Sequence, residues 1–233
     1  MELELLRKEI KSLVNPLKAE ILQRFFKTGK GEYGEGDVFL GLTVPECRKI
    51  AVKYEALSLR EIGSVLNSKI HEERLIALLI LVHNYQNHPL KKEAIFRFYL
   101  NNTKFINNWD LVDLSAHKIL GNHLIDKDKL ILLNLAKSNN MWERRISIIS
   151  TYYFIKNNKF EYSLKIAEIL INDPHDLIHK AVGWMLREIG NRDLEMEQRF
   201  LKKHYLNMPR TMLRYAIERF PENLRQKYLK GAI

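Results

Sequence analysis

The sequence predicts an all-α protein, an α-solenoid of stacked antiparallel helix pairs. Three observations predict it. Apolar residues recur at helical spacing along nearly the whole chain, prolines and caps cut that pattern into short helices, and small residues return roughly every 35 residues. The 233 residues are enough for a sizeable core and are expected to form one domain, 1–233.

Taken in order, the periodicity predicts helices over 3–14, 16–28, 44–55, 58–67, 70–86, 89–101, 107–123, 127–138, 141–157, 160–172, 175–190, 193–206 and 209–219. Pro16, Pro45, Pro89, Pro174 and Pro209 stand where helices begin, the place a proline is tolerated because the missing N–H has no partner there. Ser58 lies three residues before Glu61, a capping-box spacing. Glu73-Arg74-Leu75-Ile76-Ala77, Glu143-Arg144-Arg145-Ile146-Ser147 and His179-Lys180-Ala181-Val182-Gly183 share a basic–apolar–small progression, and Leu213-Arg214-Tyr215-Ala216 is a weaker copy. The small residues Ala77, Ser115, Ser147, Gly183 and Ala216 let neighbouring helices approach closely. Such pairs stack into a curved solenoid with a concave face, each repeat relying on its neighbours for burial. One segment breaks the pattern: Thr28 to Gly41 holds five of the ten glycines and reads as an extended loop or a small β-hairpin. It lacks the order of a phosphate-binding loop. Lys30 and Tyr33 either touch a nucleic-acid backbone from it or belong to a plain connector.

Hydrophobic residues make up 46% and charged residues 28%, an ordinary globular balance, but the formal charge is +10 and the pI about 9.5. That excess favours a polyanionic partner. Because the positive charge is spread along the helices, it favours nucleic acid over a lipid patch. The longest apolar runs, such as Leu75 to Val82, are too short to span a bilayer, so no membrane association is expected. Cys47 is the only cysteine, which excludes an internal disulfide; with no secretory signal at the start, a cytoplasmic location is expected. Cys47 itself reads as a small, partly buried helix residue. His175 and His179 have helical spacing but enclose Asp-Leu-Ile, without a zinc-protease glutamate or an obvious third ligand, so neither a metal nor another cofactor is expected.

The chemistry-bearing stretch is Asn107-Asn108-Trp109-Asp110-Leu111-Val112-Asp113. Trp109 and Asp113 are four residues apart, so on a helix they share a face. Of the other tryptophans, Trp142 reads as core, whereas Trp184 shares its face with Lys180 and Arg187. An aromatic beside cations on a basic surface suits stacking or edge contact with nucleotides. Asp113 has two readings that spacing does not separate. It is a salt bridge to a neighbouring repeat, with Arg145 as partner. Alternatively it is a carboxylate that stabilises an oxocarbenium-like sugar or holds the attacking water.

At these residues the chain resembles the HEAT-like repeat family of bacterial alkylpurine DNA glycosylases, the AlkC/AlkD group. The resemblance covers nearly the whole length. It rests on Trp109-Asp110-Leu111-Val112-Asp113, Trp142-Glu143-Arg144-Arg145, Gly183-Trp184-Met185-Leu186-Arg187-Glu188, and Phe39-Leu40-Gly41 with Pro45 and Arg48. It implies a basic concave face that holds duplex DNA and an open cleft that cleaves the N-glycosidic bond of N3- or N7-alkylated purines from the sugar–phosphate side. By motif position it implies Asp113 as the catalytic carboxylate, Trp109 and Trp184 as walls around the lesion's deoxyribose, and Arg145 on the backbone. Phe25 stands where excising members place an aromatic near DNA, and Arg144, Lys180 and Arg187 are expected to contact DNA. The glycine-rich insert resembles that of broader-family relatives, some of which bind branched DNA without evident glycosylase activity.

The expected function is therefore that of a monofunctional glycosylase in DNA alkylation repair. Its partner is duplex DNA containing alkylated purines, and it works as a monomer in the bacterial cytoplasm at the nucleoid, without an obligate protein partner. The alternatives are a non-catalytic binder of branched or damaged DNA and a protein-binding solenoid.

Overall fold

The computed structural model describes residues 2–233, and no strand forms among them. The helices are α1 (Glu2–Ser12), α2 (Pro16–Phe25), α3 (Val44–Lys53), α4 (Leu59–Leu66), α5 (His71–Asn87), α6 (Lys92–Asn101), α7 (Trp109–Ala116), α8 (Asn122–Leu124), α9 (Leu130–Ala136), α10 (Met141–Lys156), α11 (Glu161–Leu170), α12 (Asp176–Gly190), α13 (Leu194–His204), α14 (Arg210–Ala216) and α15 (Glu222–Lys230). Helices form at each of the predicted positions. The span 107–123 is divided, because a π-helical turn at His117–Gly121 separates α7 from α8. Sequence periodicity missed α15, a polar helix set off by Pro221 before it and closed by the left-handed Gly231 after it.

The chain divides into two compact units, Met1–Ser115 and Ala116–Ile233. In the first, α5 is the central helix and packs against α3, α4 and α6. Its whole run from Leu75 to Val82 is buried, which explains why it is apolar all round rather than amphipathic. In the second unit α10 packs on α9, α11 and α12, and α12 packs on α13 and α14. The small residues at the helix crossings are buried, and Gly183 shows why. A Cβ there would lie 2.4 Å from the Met212 carbonyl oxygen and 2.5 Å from the Tyr215 Cβ.

The repeats share a capping device. The fourth residue of α5, α10 and α12 is Arg74, Arg144 and His179, and each side chain bonds the carbonyl six residues earlier: Ser68 for Arg74 (2.8 Å), Ser138 for Arg144 (2.9 Å), and Asp173 for His179. These positions keep the repeat period. The equivalent residue of α7 is the buried apolar Val112, so this helix has to be held by other means. The predicted cap at α4 is present: the Ser58 N–H donates to the Glu61 carboxylate at 2.9 Å, and the Glu61 N–H donates back to the Ser58 hydroxyl.

The glycine-rich segment is the loop of the two predicted forms; the hairpin does not form. Successive turns carry it from Thr28 to Asp37, and its one β-type contact is an isolated parallel bridge between Val38 and Ile70. The Val38 N–H donates to the Lys69 carbonyl, and the His71 N–H donates to the Val38 carbonyl. With glycines at 29, 31, 34 and 36, no run is long enough to build a second paired strand.

Candidate active site

The start of α7 is held by a buried charge network. His71, the first residue of α5, lies between two carboxylates: its Nε2 is 2.8 Å from Asp110 Oδ2 and its Nδ1 is 3.3 Å from Asp37 Oδ2. Arg74 adds an ion pair to Asp37 at 2.6 Å. All four side chains are buried. Burial alone would push the imidazole down, but Asp110 and then Asp37 outweigh it and raise His71 above its ordinary value. Burial likewise opposes the charge on Asp37, yet hydrogen bonding from His71 and the Arg74 charge hold it below the usual carboxylate range. Arg74 and the imidazole thus face two carboxylates, and the network joins the glycine-rich loop, α5 and α7.

Glu72 holds the next stretch of the loop. Its carboxylate accepts from the N–H groups of Leu40 (2.9 Å), Gly41 (2.8 Å) and Leu42 (3.3 Å). Gly41 has φ +90 and backs onto α2, where a Cβ would lie 2.3 Å from the Asn15 carbonyl oxygen, so only glycine fits.

Above this base stands a column of rings. His71 stacks on Phe39 (4.4 Å between centroids), Phe39 on Phe26 (4.9 Å), and Phe26 on Trp109 (5.0 Å, planes 13° apart). Phe25 meets Trp109 edge-on at 5.9 Å and is 62% exposed. These rings wall a cavity of about 510 Å³ enclosed by α2, the 41–44 segment, α5 and α7. The expected face-sharing of Trp109 and Asp113 is present: both are half-buried and both line this cavity.

The other predicted site residues lie in the second unit. The fifth residue of α7, α10, α12 and α14 is Asp113, Arg145, Lys180 and Arg214, so Asp113 occupies the register where later repeats carry cations. Arg145 is buried, and its guanidinium donates to the Leu177 carbonyl. Trp184 is half-buried, donates from Nε1 to Glu188 at 3.2 Å and lies 5.6 Å from the Tyr152 ring. Arg144 pairs with Asp173 at 2.5 Å besides capping its own turn. Lys180 pairs with Asp176 at 2.7 Å, and Arg187 with Glu218. Trp142 is buried, as its core reading requires. Cys47 is fully buried, and its thiol is pushed up to about 12, first by burial and then by Glu72, so it is not a nucleophile at neutral pH.

A sequence model for the family described as "DNA alkylation repair enzyme" matches residues 6–220. The chain belongs to the DNA alkylation repair enzyme family. A solved structure described as "Predicted DNA alkylation repair enzyme from Enterococcus faecalis" has the same fold: at 18% identity it aligns with a TM-score of 0.68, covering 90% of this chain and 97% of that one. No curated protein matches the sequence. Family membership places the chain in DNA repair, with DNA as the substrate. Among the described residues no helix is long and apolar enough to cross a membrane.

The sequence missed the supports of this site: Asp37, His71, Glu72, Arg74 and the Phe26–Phe39 stack. Asp110 lies within Trp109–Asp113 and Phe39 within Phe39-Leu40-Gly41, but sequence spacing gives neither residue a role. The partners of the charged groups lie 30 or more residues away in sequence, and Phe26 and Phe39 lie 13 apart, separations that local spacing does not reveal.

Proposed function

We propose that this protein is a monofunctional DNA glycosylase that hydrolyses the N-glycosidic bond of N3- or N7-alkylated purines in duplex DNA. The observation that carries the reading is Trp109 and Asp113 on one cavity wall, in a chain of the DNA alkylation repair enzyme family. An alkylated purine is already a cation and departs without a strong general acid. What the reaction needs is stabilisation of the oxocarbenium-like sugar, and Asp113 supplies the negative charge or positions the attacking water. Trp109 and Trp184 pack against the deoxyribose, and Arg145 orders the strand beside it. Phe25, Lys180 and Arg187 meet the DNA. The Lys180–Asp176 pair is partly exposed and exchanges for a phosphate at little cost, since such pairs contribute about 0–1 kcal/mol. Arg144 acts through the turn it holds. Acting through a carboxylate and water, the reaction leaves an abasic site in an unbroken strand. The chain works as a cytoplasmic, single-domain monomer.

The test is release of 3-methyladenine or 7-methylguanine from alkylated duplex DNA. Asp113→Asn is expected to slow release at least 100-fold while DNA binding changes little, on the order of one lost charge-stabilising group. Unchanged release in that variant removes Asp113 from catalysis. Tight binding to junctions or flaps with no base release from any substrate selects the non-catalytic alternative.

A further inference from the structure

The second unit carries three polar groups that the fold leaves without partners. His117 opens the π-helical turn, and Tyr152 and Lys156 lie one turn apart on α10. The His117 ring meets the Tyr152 ring edge-on at 5.3 Å between centroids. The Lys156 ammonium stands 4.7 Å from the centre of the Tyr152 ring, which lies 5.6 Å from Trp184. Among the described residues, the His117 ring nitrogens, the Tyr152 hydroxyl and the Lys156 ammonium have no hydrogen-bond or ion-pair partner. Other cations of this unit are committed: Lys180 to Asp176, Arg187 to Glu218 and Arg192 to Glu188.

The π-helical turn sets His117 in place. It is pinned against α10 at Gly121, where a Cβ would run into the Ser150 carbonyl oxygen and the Tyr153 Cβ. Burial, then Lys118 on its own turn and Lys156 on α10, push the imidazole down to about 4. At pH 7 it is therefore neutral and offers one N–H. The carboxylate facing Tyr152 from α12 is Glu188, which already accepts from Trp184 Nε1 and pairs with Arg192. Lys156 covers the Tyr152 ring and His117 meets it edge-on, so little ring face is left for a base to stack on. What the cluster offers is three donors: an N–H, an O–H and an ammonium. A phosphodiester accepts from all three at once.

We propose that His117, Tyr152 and Lys156 form a phosphate subsite that grips the DNA strand beside the sugar packed on Trp184. That the anion is a strand phosphate, and that it adjoins this sugar, rests on the glycosylase reading. The class of ligand rests on the unpartnered donors.

The test is binding of the full chain to a fluorescein-labelled undamaged duplex, measured by anisotropy, with the folding of each variant checked by circular dichroism. Tyr152→Phe removes the hydroxyl and keeps the ring. It is expected to weaken binding about tenfold, the lower end for a hydrogen bond to a charged group. Lys156→Gln is expected to weaken binding and to make the slope of log affinity against log salt shallower by about 0.9, one phosphate contact. Lys165→Gln removes an equal charge from α11, where Lys165 pairs with Glu161 at 2.7 Å, and is expected to change neither. A phosphate beside His117 raises the imidazole, so duplex affinity of the parent should rise from pH 7 to about pH 5 more than that of His117→Gln. Parent-like affinity in Tyr152→Phe, an unchanged slope in Lys156→Gln, an equal loss in Lys165→Gln, or the same pH dependence without the imidazole overturns the proposal. Base release from alkylated duplex separates the two readings. The expected binding losses in a chain that releases no base leave the subsite and remove the glycosylase; release by the parent with unaltered binding in the variants removes the subsite and leaves the glycosylase.

Discussion

Two carboxylates surround the His71 ring, which solvent does not reach; they outweigh its burial and raise it above its ordinary value, and this fixes how stability depends on pH. Its value in the fold lies above 6.5, so the stabilisation it contributes is fully present below pH 6.5 and is lost as pH rises through the raised value. His71→Gln leaves Asp37 and Asp110 with Arg74 alone and is expected to cost about 3–5 kcal/mol, the cost of breaking a buried pair. In urea titrations the difference from the parent should be largest below pH 6.5 and shrink above it. Glu197, on α13, has the opposite sign. It is 1% exposed, its Oε1 finds no partner among the described residues, and burial raises it to about 9 against a small lowering by Arg187. The folded chain keeps its proton while the unfolded chain releases it above 4.5, so stability falls as pH rises from 4.5 towards 9. Glu197→Met is expected to flatten that fall and to be more stable than the parent at pH 8, by about 2 kcal/mol. Equal slopes for the two proteins would show that Glu197 is ionised in the fold.

Among the elements, α12 and α14 meet through Gly183, whose absent side chain lets backbone touch backbone. Gly183→Ala is expected to destabilise the chain by about 1–3 kcal/mol, since the obstacle is a carbonyl rather than a flexible side chain. Thermal denaturation measures it, and an unchanged midpoint would mean the two helices have slack. This contact was legible in the sequence, because a small residue at the repeat period has a local signature. So were the helices, their proline starts and the Trp109–Asp113 pairing, which all follow from spacings of four residues or fewer. The cap that Arg74, Arg144 and His179 share was visible only as a basic position recurring at the repeat period. The His71 network had no such signature: Asp37 and Asp110 are brought to one imidazole by the folding of a loop. For α15, a mostly polar helix gives periodicity nothing to detect, and only Pro221 and Gly231 marked its ends.

For the whole molecule, the net charge of +10 sets the terms of DNA binding, because each neutralised phosphate releases a counterion. Affinity for undamaged duplex is expected to fall by about 10³-fold or more between 50 and 200 mM salt, measured by fluorescence anisotropy, if about six phosphates are contacted. A flat response would mean that the basic excess serves some other partner.

The glycine-rich loop has an inner half fixed at each step and an outer half anchored at Gly34, whose N–H donates to the Lys27 carbonyl and where a Cβ would lie 2.6 Å from the Phe26 carbonyl oxygen. From Asp37 to Leu42 the chain is fixed at each step by Arg74, Lys69, His71 and Glu72, whereas a Cβ at Gly31 or Gly36 would meet nothing within 4 Å. Length is therefore freest at the exposed positions Gly31 and Gly36, on either side of the anchored Gly34, and engineered variants can gain a residue there without moving the cavity wall. An insertion of one residue after Val38 has no such freedom: it shifts Phe39 out of the ring column and Gly41 off the shoulder of α2.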